Sequence, residues 1–160
     1  MIEVREGNVV DALLNKEVDY IMHVVNCRGK MASGVAKEIR NRVPDVYKVY
    51  MEHHNSVGSK ANTELGSCSH TEEVYNLHAQ EYYGYDGKRY LNYGALAKSF
   101  SQACDSIYHK QEREHTLRKD LVVGIPFKMG SDRAGADFDI VCEILEGLKS
   151  YNMTIIAYKL

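Results

Sequence analysis

The chain has 160 residues, enough for one domain that buries a full hydrophobic core without cross-links. Hydrophobic residues make up 44% and charged residues 26%, with only two prolines, a balance that is typical of globular proteins and argues against a disordered chain. The formal net charge of −2 excludes a general attraction to nucleic acid or anionic membranes. Any recognition of phosphate must therefore be local.

Apolar runs and breakers predict strands that alternate with helices along the whole chain. The predicted strands are Ile2–Val4, Val18–Val25, Leu65–Thr71, Val74–Ala79, Leu121–Phe127 and Met153–Tyr158. The predicted helices are Val9–Leu14, Gly34–Val43, Val46–His54, Asn92–His115 and Phe138–Leu148, and polar or aromatic loops cover Asn55–Thr63 and Gln80–Leu91. This alternation predicts a three-layer α/β/α sandwich with a largely parallel central sheet, whose ligands bind at the carboxyl ends of the strands.

The first of two candidate ligand loops follows the strand that ends at Val25. It has the sequence NCRGKMASGVA and runs from Asn26 into a helix. Gly29 and Gly34 allow a close approach of the backbone to a ligand, and a helix N-terminus favours a phosphate. Asn26 suits a sugar hydroxyl. A strand-to-helix turn with glycines for geometry alone remains open.

The second candidate loop, PFKMGSDRAGADF, follows the strand that ends at Phe127. Small residues again lead into a helix, and Asp137 lies at the predicted helix start. Asp137 therefore either caps the helix or orients a water molecule. Both loops leave the carboxyl ends of buried strands, so we expect them to close on one nucleotide diphosphate.

Three stretches resemble the macrodomain family in its small phage and bacterial form. Loop one matches NCxGxMxxGxA, NLHAQEYYGYDGKRYLNYGAL is similar to the strand, loop and helix start that follow, and IPFKMGSDRAGADFDIV is similar to the second ligand loop. The resemblance covers nearly the whole chain. It implies a mixed, mostly parallel six-stranded sheet between helices in a single domain spanning residues 1–160, with an ADP-ribose cleft over the carboxyl edge.

Ligand roles follow from this resemblance residue by residue. It implies that Asn8 and Val9 hold the adenine and that Asn26 contacts the distal ribose. It also implies that two loops wrap the diphosphate and distal ribose, namely Ala32, Ser33, Gly34 and Val35 in the first and Met129, Gly130, Ser131, Asp132, Arg133, Ala134 and Gly135 in the second. Phe138 stands where a tryptophan is common, with Asp137 before it.

Three positions depart from the family pattern. Asp132 stands where a glycine is typical, and its carboxylate would repel a diphosphate unless Arg133 offsets it. Gln80 replaces the lysine of the branch that removes ADP-ribose from glutamate or DNA. Ala134 stands where one member of that branch has a catalytic aspartate. The pattern is thus closer to members that act as ADP-ribose-1''-phosphate phosphatases.

The resemblance leaves three functions open. The first is hydrolysis of ADP-ribose-1''-phosphate with Asn26 and Asp137 near the distal ribose and His78 as a helper. The second is a non-catalytic reader of ADP-ribose. The third is an ADP-ribosyl hydrolase that acts on modified protein or nucleic acid.

Other chemistry-bearing residues receive structural interpretations. The four cysteines are widely spaced, which favours buried free thiols, and we expect Cys27 to pack as a small apolar residue. His23 lies on a buried strand, where a hydrogen-bonded core position is expected. The aromatic loop carries Tyr82, Tyr83, Tyr85 and Tyr90, and it either covers the distal ribose, offers a surface for base stacking, or packs on its own side chains. We expect no metal, no cofactor, no membrane segment and no signal peptide, and a monomer in the cytoplasm, or in the host cytoplasm if the protein is viral.

Overall fold

The computed structural model describes residues 1–31, 34–57, 61–82, 89–130 and 135–160. Its strands are β1 (Glu3–Glu6), β2 (Tyr20–Asn26), β3 (Cys68–His70), β4 (Val74–Gln80), β5 (Leu121–Pro126) and β6 (Met153–Lys159). Its helices are α1 (Val9–Leu14), α2 (Gly34–Arg42), α3 (Pro44–Val57), α4 (Ala61–Glu64), α5 (Tyr93–Arg113) and α6 (Phe138–Leu148). No helix in these ranges is long and apolar enough to cross a membrane.

In the described part of the chain, six strands form one mixed sheet with the order β1-β6-β5-β2-β4-β3. Neighbouring strands are parallel except β3, which runs antiparallel to β4. Because β2 and β5 are adjacent and parallel, they end at the same edge, and the two candidate loops leave the sheet there. The expected mixed, mostly parallel sheet is confirmed.

Helices cover both faces of the sheet, as the three-layer prediction requires. On one face α5 and α6 pack through apolar residues such as Phe100, Ile107 and Leu145. On the other face α1, α2 and α3 pack through Val10, Ile39 and Tyr50. The central strands are therefore buried on both sides, which is why they are nearly continuous apolar runs in the sequence.

The predicted strands and helices are all present, but several boundaries differ. The helix that begins at Gly34 stops before Pro44 as predicted, but the next helix begins at Pro44 rather than at Val46, because a proline at the first helical position lacks only an N–H that has no partner there. The predicted loop Asn55–Thr63 is wrong in part, since α3 continues to Val57 and α4 begins at Ala61. The helix predicted over Asn92–His115 is shortened to α5, because Asn92 caps it by accepting a hydrogen bond from the Ala95 N–H.

Candidate functional site

Asn26, the last residue of β2, closes loop one on itself. Its buried side-chain amide donates to the Lys30 carbonyl at 2.9 Å, and its Oδ1 accepts from the Arg28 N–H at 3.0 Å. These are the bonds of a side chain that fixes a turn in its own backbone. The predicted contact of Asn26 with a distal ribose stays a prediction, and its role in holding the loop is evident from the geometry.

Tyr50 supports loop one from α3, a role that the sequence did not indicate. Its fully buried hydroxyl donates to the Asn26 carbonyl at 2.7 Å and lies 2.9 Å from Asn26 Oδ1. It also accepts from the Lys30 N–H at 3.1 Å. The periodicity of α3 predicted only that Tyr50 faces the core.

The small-residue turn of loop one is described only in part, because Ala32 and Ser33 lie outside the described residues. Gly34 starts α2 with a φ of +60°, a conformation that glycine adopts without strain. Val35 follows it and lines the cleft defined below. The N-terminus of α2 therefore meets the carboxyl edge of the sheet, as the anion-site hypothesis requires.

Loop two turns sharply after β5. The Met129 N–H donates to the Pro126 carbonyl, Gly130 has a φ of +74°, and the Ala136 N–H donates back to the Gly130 carbonyl at 3.1 Å. Gly135 also has a positive φ of +71°. Ser131, Asp132, Arg133 and Ala134 lie outside the described residues, so their predicted ligand contacts stay predictions. Met129 is buried in the core, which leaves only its backbone available to a ligand.

Asp137 and Phe138 connect loop two to α6. Asp137 Oδ1 accepts from the Asp139 N–H at 2.8 Å, so Asp137 caps the helix, the first of the two interpretations left open above. Its own N–H donates to the Tyr93 hydroxyl at 2.9 Å, while its side chain remains exposed. Phe138 packs edge-to-face on Phe127, with ring centroids 5.3 Å apart.

An open cleft of about 540 Å³ lies at this edge of the sheet. Its lining residues come from the start of α1, from α2, from the turn after β5 and from the end of the chain: Asn8, Val9, Val35, Glu38, Pro126, Phe127, Lys128, Tyr158, Lys159 and Leu160. The structure thus brings together the predicted residues Asn8, Val9 and Val35. Apolar walls with a few charged groups are typical of a small-molecule site.

Asn8 fixes the entrance to this cleft. Its Oδ1 caps α1 by accepting from the Val10 and Asp11 N–H groups, and its Nδ2 donates to Glu38 Oε1 at 2.5 Å. Glu38 was not predicted as a site residue, and neither was Phe127. A signal for Phe127 was present, since it directly follows the strand from which loop two departs.

His78 does not reach the cleft. It is 0% exposed on the α3 face of β4, where its Nδ1 donates to Glu64 Oε2 at 3.0 Å and its Nε2 hydrogen-bonds Ser69 Oγ at 2.8 Å. Both ring nitrogens therefore have partners inside the protein. His23, in turn, hydrogen-bonds Asn76 at 2.6 Å and is buried, which confirms the predicted core position.

Cys27 and Gln80 lie side by side where β2 and β4 end. The Cys27 N–H donates to the Gln80 carbonyl at 2.8 Å, and Gln80 Nε2 donates to the Tyr82 carbonyl. Burial, reinforced by the nearby Glu64 carboxylate, raises the pKa of the Cys27 thiol to about 12. Cys27 is therefore a buried thiol, as predicted. Of the aromatic loop, Tyr83 and Tyr85 lie outside the described residues, and Tyr82 stacks against Arg28.

The sequence matches no protein-family model and no curated protein sequence. Solved structures are similar over the whole chain. The macrodomain of Thermus aquaticus DarG superposes with a TM-score of 0.67 at 15% identity, covering 100% of this chain and 99% of that one. A macrodomain protein from Streptomyces coelicolor gives 0.69 at 18% identity, with 100% and 99% covered. Thermosipho africanus DarTG in complex with ADP-ribose gives 0.61 at 15% identity, with 98% of this chain and 41% of that chain covered. The chain therefore has the macrodomain fold.

Proposed function

We propose that this protein binds ADP-ribose, or a derivative that carries it, in the cleft over the carboxyl edge of the sheet. The observation that supports this most is the cleft itself, about 540 Å³, in the size range of small-ligand pockets and lying where the loops after β2 and β5 leave the sheet. The N-termini of α2 and α6 both start at this edge and favour a diphosphate. ADP-ribose is also the ligand of the similar Thermosipho africanus structure.

In this proposal the base lies at the apolar end of the cleft. Val9 and Phe127 offer apolar surface there, and Asn8 and Glu38 offer polar groups. The diphosphate lies between Gly34–Val35 and loop two, whose backbone N–H groups bind its oxygens. The distal ribose then lies toward Asn26, at the far end of loop one.

We further propose that the protein hydrolyses ADP-ribose-1''-phosphate to ADP-ribose and phosphate. A water oxygen attacks phosphorus, the bond from phosphorus to the 1''-oxygen breaks, and that oxygen takes up a proton from solvent. The exposed Asp137 carboxylate accepts the proton of the attacking water. Asn26 positions the distal ribose, and His78, buried beneath, acts at most through loop one.

A specific observation favours the non-catalytic reader as the second candidate. The side chains of Asn26 and Asp137 are both used in local structure, the first to close loop one and the second to cap α6. If these two side chains only stabilise the loops and the helix start, the protein binds ADP-ribose without turning over any substrate.

Calorimetric titration with ADP-ribose tests the binding proposal. We expect saturable binding by the wild type and weaker binding by Asn26→Ala. The exposed helical residue Asn55 supplies the matched control, because Asn55→Ala removes the same group away from the loops. Absence of binding by the folded wild type would overturn the proposed function.

Phosphate release from ADP-ribose-1''-phosphate tests the catalytic proposal. Asp137→Asn should lower kcat, while Asp139→Asn, in the first turn of the same helix, should not. Binding without phosphate release above the Asn26→Ala level would instead support the reader. ADP-ribosylated protein and DNA belong in the same assay, because release of ADP-ribose from either would support the third function.

A further inference from the structure

Three buried side chains with metal-binding atoms meet beneath loop one. We call Cys27, Glu64 and His78 the donor cluster. The Cys27 Sγ, one Glu64 carboxylate oxygen and one His78 ring nitrogen all lie within 4.8 Å of one another. The side chains are 9%, 1% and 0% exposed. They come from three elements, since Cys27 follows β2, Glu64 ends α4 and His78 lies on β4.

Residues around the donor cluster orient its atoms. The second oxygen of Glu64, Oε1, accepts from His54 Nδ1 at 2.7 Å. The second nitrogen of His78, Nε2, bonds Ser69 Oγ, which also accepts from Asn76 Nδ2 at 3.1 Å. Partners of this kind fix the tautomer of a metal-binding histidine and the orientation of a metal-binding carboxylate.

The charges of the donor cluster also suit a divalent cation. A thiolate at Cys27 and a carboxylate at Glu64 together carry two negative charges, and His78 is a neutral ligand. A dication makes the group neutral, which is the condition for burying it at low cost. Without a metal, a thiol proton and a ring proton occupy the space between these atoms.

The spacing leaves room for an ion. Zinc binds sulfur at about 2.3 Å and nitrogen or oxygen at about 2.0–2.2 Å, so tetrahedral ligands lie roughly 3.3–3.7 Å apart. His78 Nδ1 and Glu64 Oε2 are 3.0 Å apart, and every pair in the cluster lies within 4.8 Å. Shifts of less than about 1 Å in the side chains bring all three atoms onto one ion.

We propose that Cys27, Glu64 and His78 bind one divalent transition-metal ion of the zinc class. Zinc accepts thiolate sulfur, imidazole nitrogen and carboxylate oxygen, the three donors that this cluster offers. Binding through His78 Nδ1 releases the Cys27 thiol proton and the Nδ1 proton, while Nε2 takes up one proton from solvent and donates it to Ser69 Oγ, so that one proton is released in all. The three protein ligands leave one tetrahedral position for a further ligand. The proposal does not depend on the nucleotide proposal, because neither Glu64 nor His78 lines the cleft.

Cobalt substitution tests the site directly. After treatment with a chelator, the full chain is titrated with Co²⁺. We expect about one equivalent to bind, with visible bands of a tetrahedral ion and a near-ultraviolet thiolate-to-cobalt charge-transfer band. Zn²⁺ should displace the cobalt. Cys27→Ser should abolish the charge-transfer band, and Glu64→Gln should lower the Co²⁺ affinity at least tenfold.

Cys142→Ser is the matched control, because Cys142 is a partly buried free thiol on α6, away from the cluster. It should leave the cobalt spectrum unchanged. A wild type that binds neither Co²⁺ nor Zn²⁺ overturns the proposal, and so does a charge-transfer band that survives in Cys27→Ser.

A second measurement on the wild type avoids the question of whether variants fold. In histidine-labelled protein, Zn²⁺ should shift the ring-nitrogen resonances of His78 and leave those of the exposed His109 unchanged. Shifts confined to exposed histidines, with none at His78, overturn the proposal as well.

Discussion

Replacing Tyr50 with phenylalanine tests whether the Tyr50 hydroxyl stabilises loop one. The substitution removes only the hydroxyl and keeps the ring, which stacks on His78 with centroids 5.4 Å apart. It removes the hydrogen bond that the buried Asn26 carbonyl accepts at 2.7 Å, while the Lys30 N–H loses its 3.1 Å bond and keeps only the longer one to Asn26 Oδ1 at 3.4 Å. The perturbation is therefore confined to hydrogen bonding.

The expected cost follows from the burial of the Asn26 carbonyl, whose bond to Tyr50 is buried. Leaving a buried donor or acceptor unsatisfied costs about 1–3 kcal/mol, and we expect a loss of about 2 kcal/mol in the free energy of unfolding. For a chain of this size that loss lowers Tm by roughly 4–8 °C. If binding must then restore the order of loop one, each 1.4 kcal/mol of the loss weakens ADP-ribose affinity about tenfold.

Urea unfolding and calorimetric titration measure the two effects on the same protein. Tyr151→Phe is the matched control, since the Tyr151 hydroxyl also donates to a backbone carbonyl, that of Leu117 at 3.2 Å, but its residue is 81% exposed. Water replaces that bond, so the control should change stability by no more than about 0.5 kcal/mol. A Tyr50→Phe protein as stable as the control would refute the reasoning.

Two further predictions concern buried positions of the central strands, Gly124 on β5 and His23 on β2. In Gly124→Ala the new Cβ would lie 3.0 Å from Val9 Cγ2 and 3.3 Å from Val18 Cγ1, so these buried side chains must shift by a few tenths of an ångström. We expect a loss of about 1–3 kcal/mol in the free energy of unfolding by urea and weaker ADP-ribose binding. Gly147→Ala, with no atom within 4 Å of the new Cβ, should instead stabilise α6 by about 0.5–1 kcal/mol. Burial lowers the pKa of His23 from its ordinary value of 6.5 to about 4. Between these two pH values the unfolded chain binds a proton at His23 that the folded chain does not bind. The free energy of unfolding should therefore fall by up to about 3 kcal/mol as the pH drops from 6.5 to 4. In His23→Gln this dependence of the unfolding free energy on pH should be weaker.

The sequence was sufficient to predict the layers and the edge at which the site lies. Continuous apolar runs such as Val18–Val25 indicate strands covered on both faces, and parallel strands bring their carboxyl ends together whatever the details of packing. The positions of Asn8 and Val9 at the same cleft were expected only from the resemblance to the macrodomain family, and the cleft contains both of them together with Val35.

The surroundings of these residues could not be predicted, because they depend on contacts between distant segments. Tyr158 lines the cleft because the register of β6 places it opposite Pro126 of β5. Glu64 directly follows the predicted loop Asn55–Thr63. In the structure it ends the short helix α4, and its buried carboxylate hydrogen-bonds His54 and His78. Local propensity carries no information about such partners.

Asn26 must be separated from Tyr50 before any loss of activity is assigned to chemistry, because the two side chains stabilise the same loop. A double-mutant cycle with Asn26→Ala and Tyr50→Phe makes the separation. If Asn26 acts only by closing loop one, the second substitution adds little to the loss of ADP-ribose affinity once the first has loosened the loop. If Asn26 also contacts the distal ribose, Asn26→Ala should weaken binding further in the Tyr50→Phe background, by about the 0.5–1.5 kcal/mol of one hydrogen bond. Asn26 accepts a hydrogen bond from the Arg28 N–H and donates one to the Lys30 carbonyl, and these bonds predict a loop contribution in either case. Only the excess measured in the Tyr50→Phe background is therefore evidence for a ligand contact.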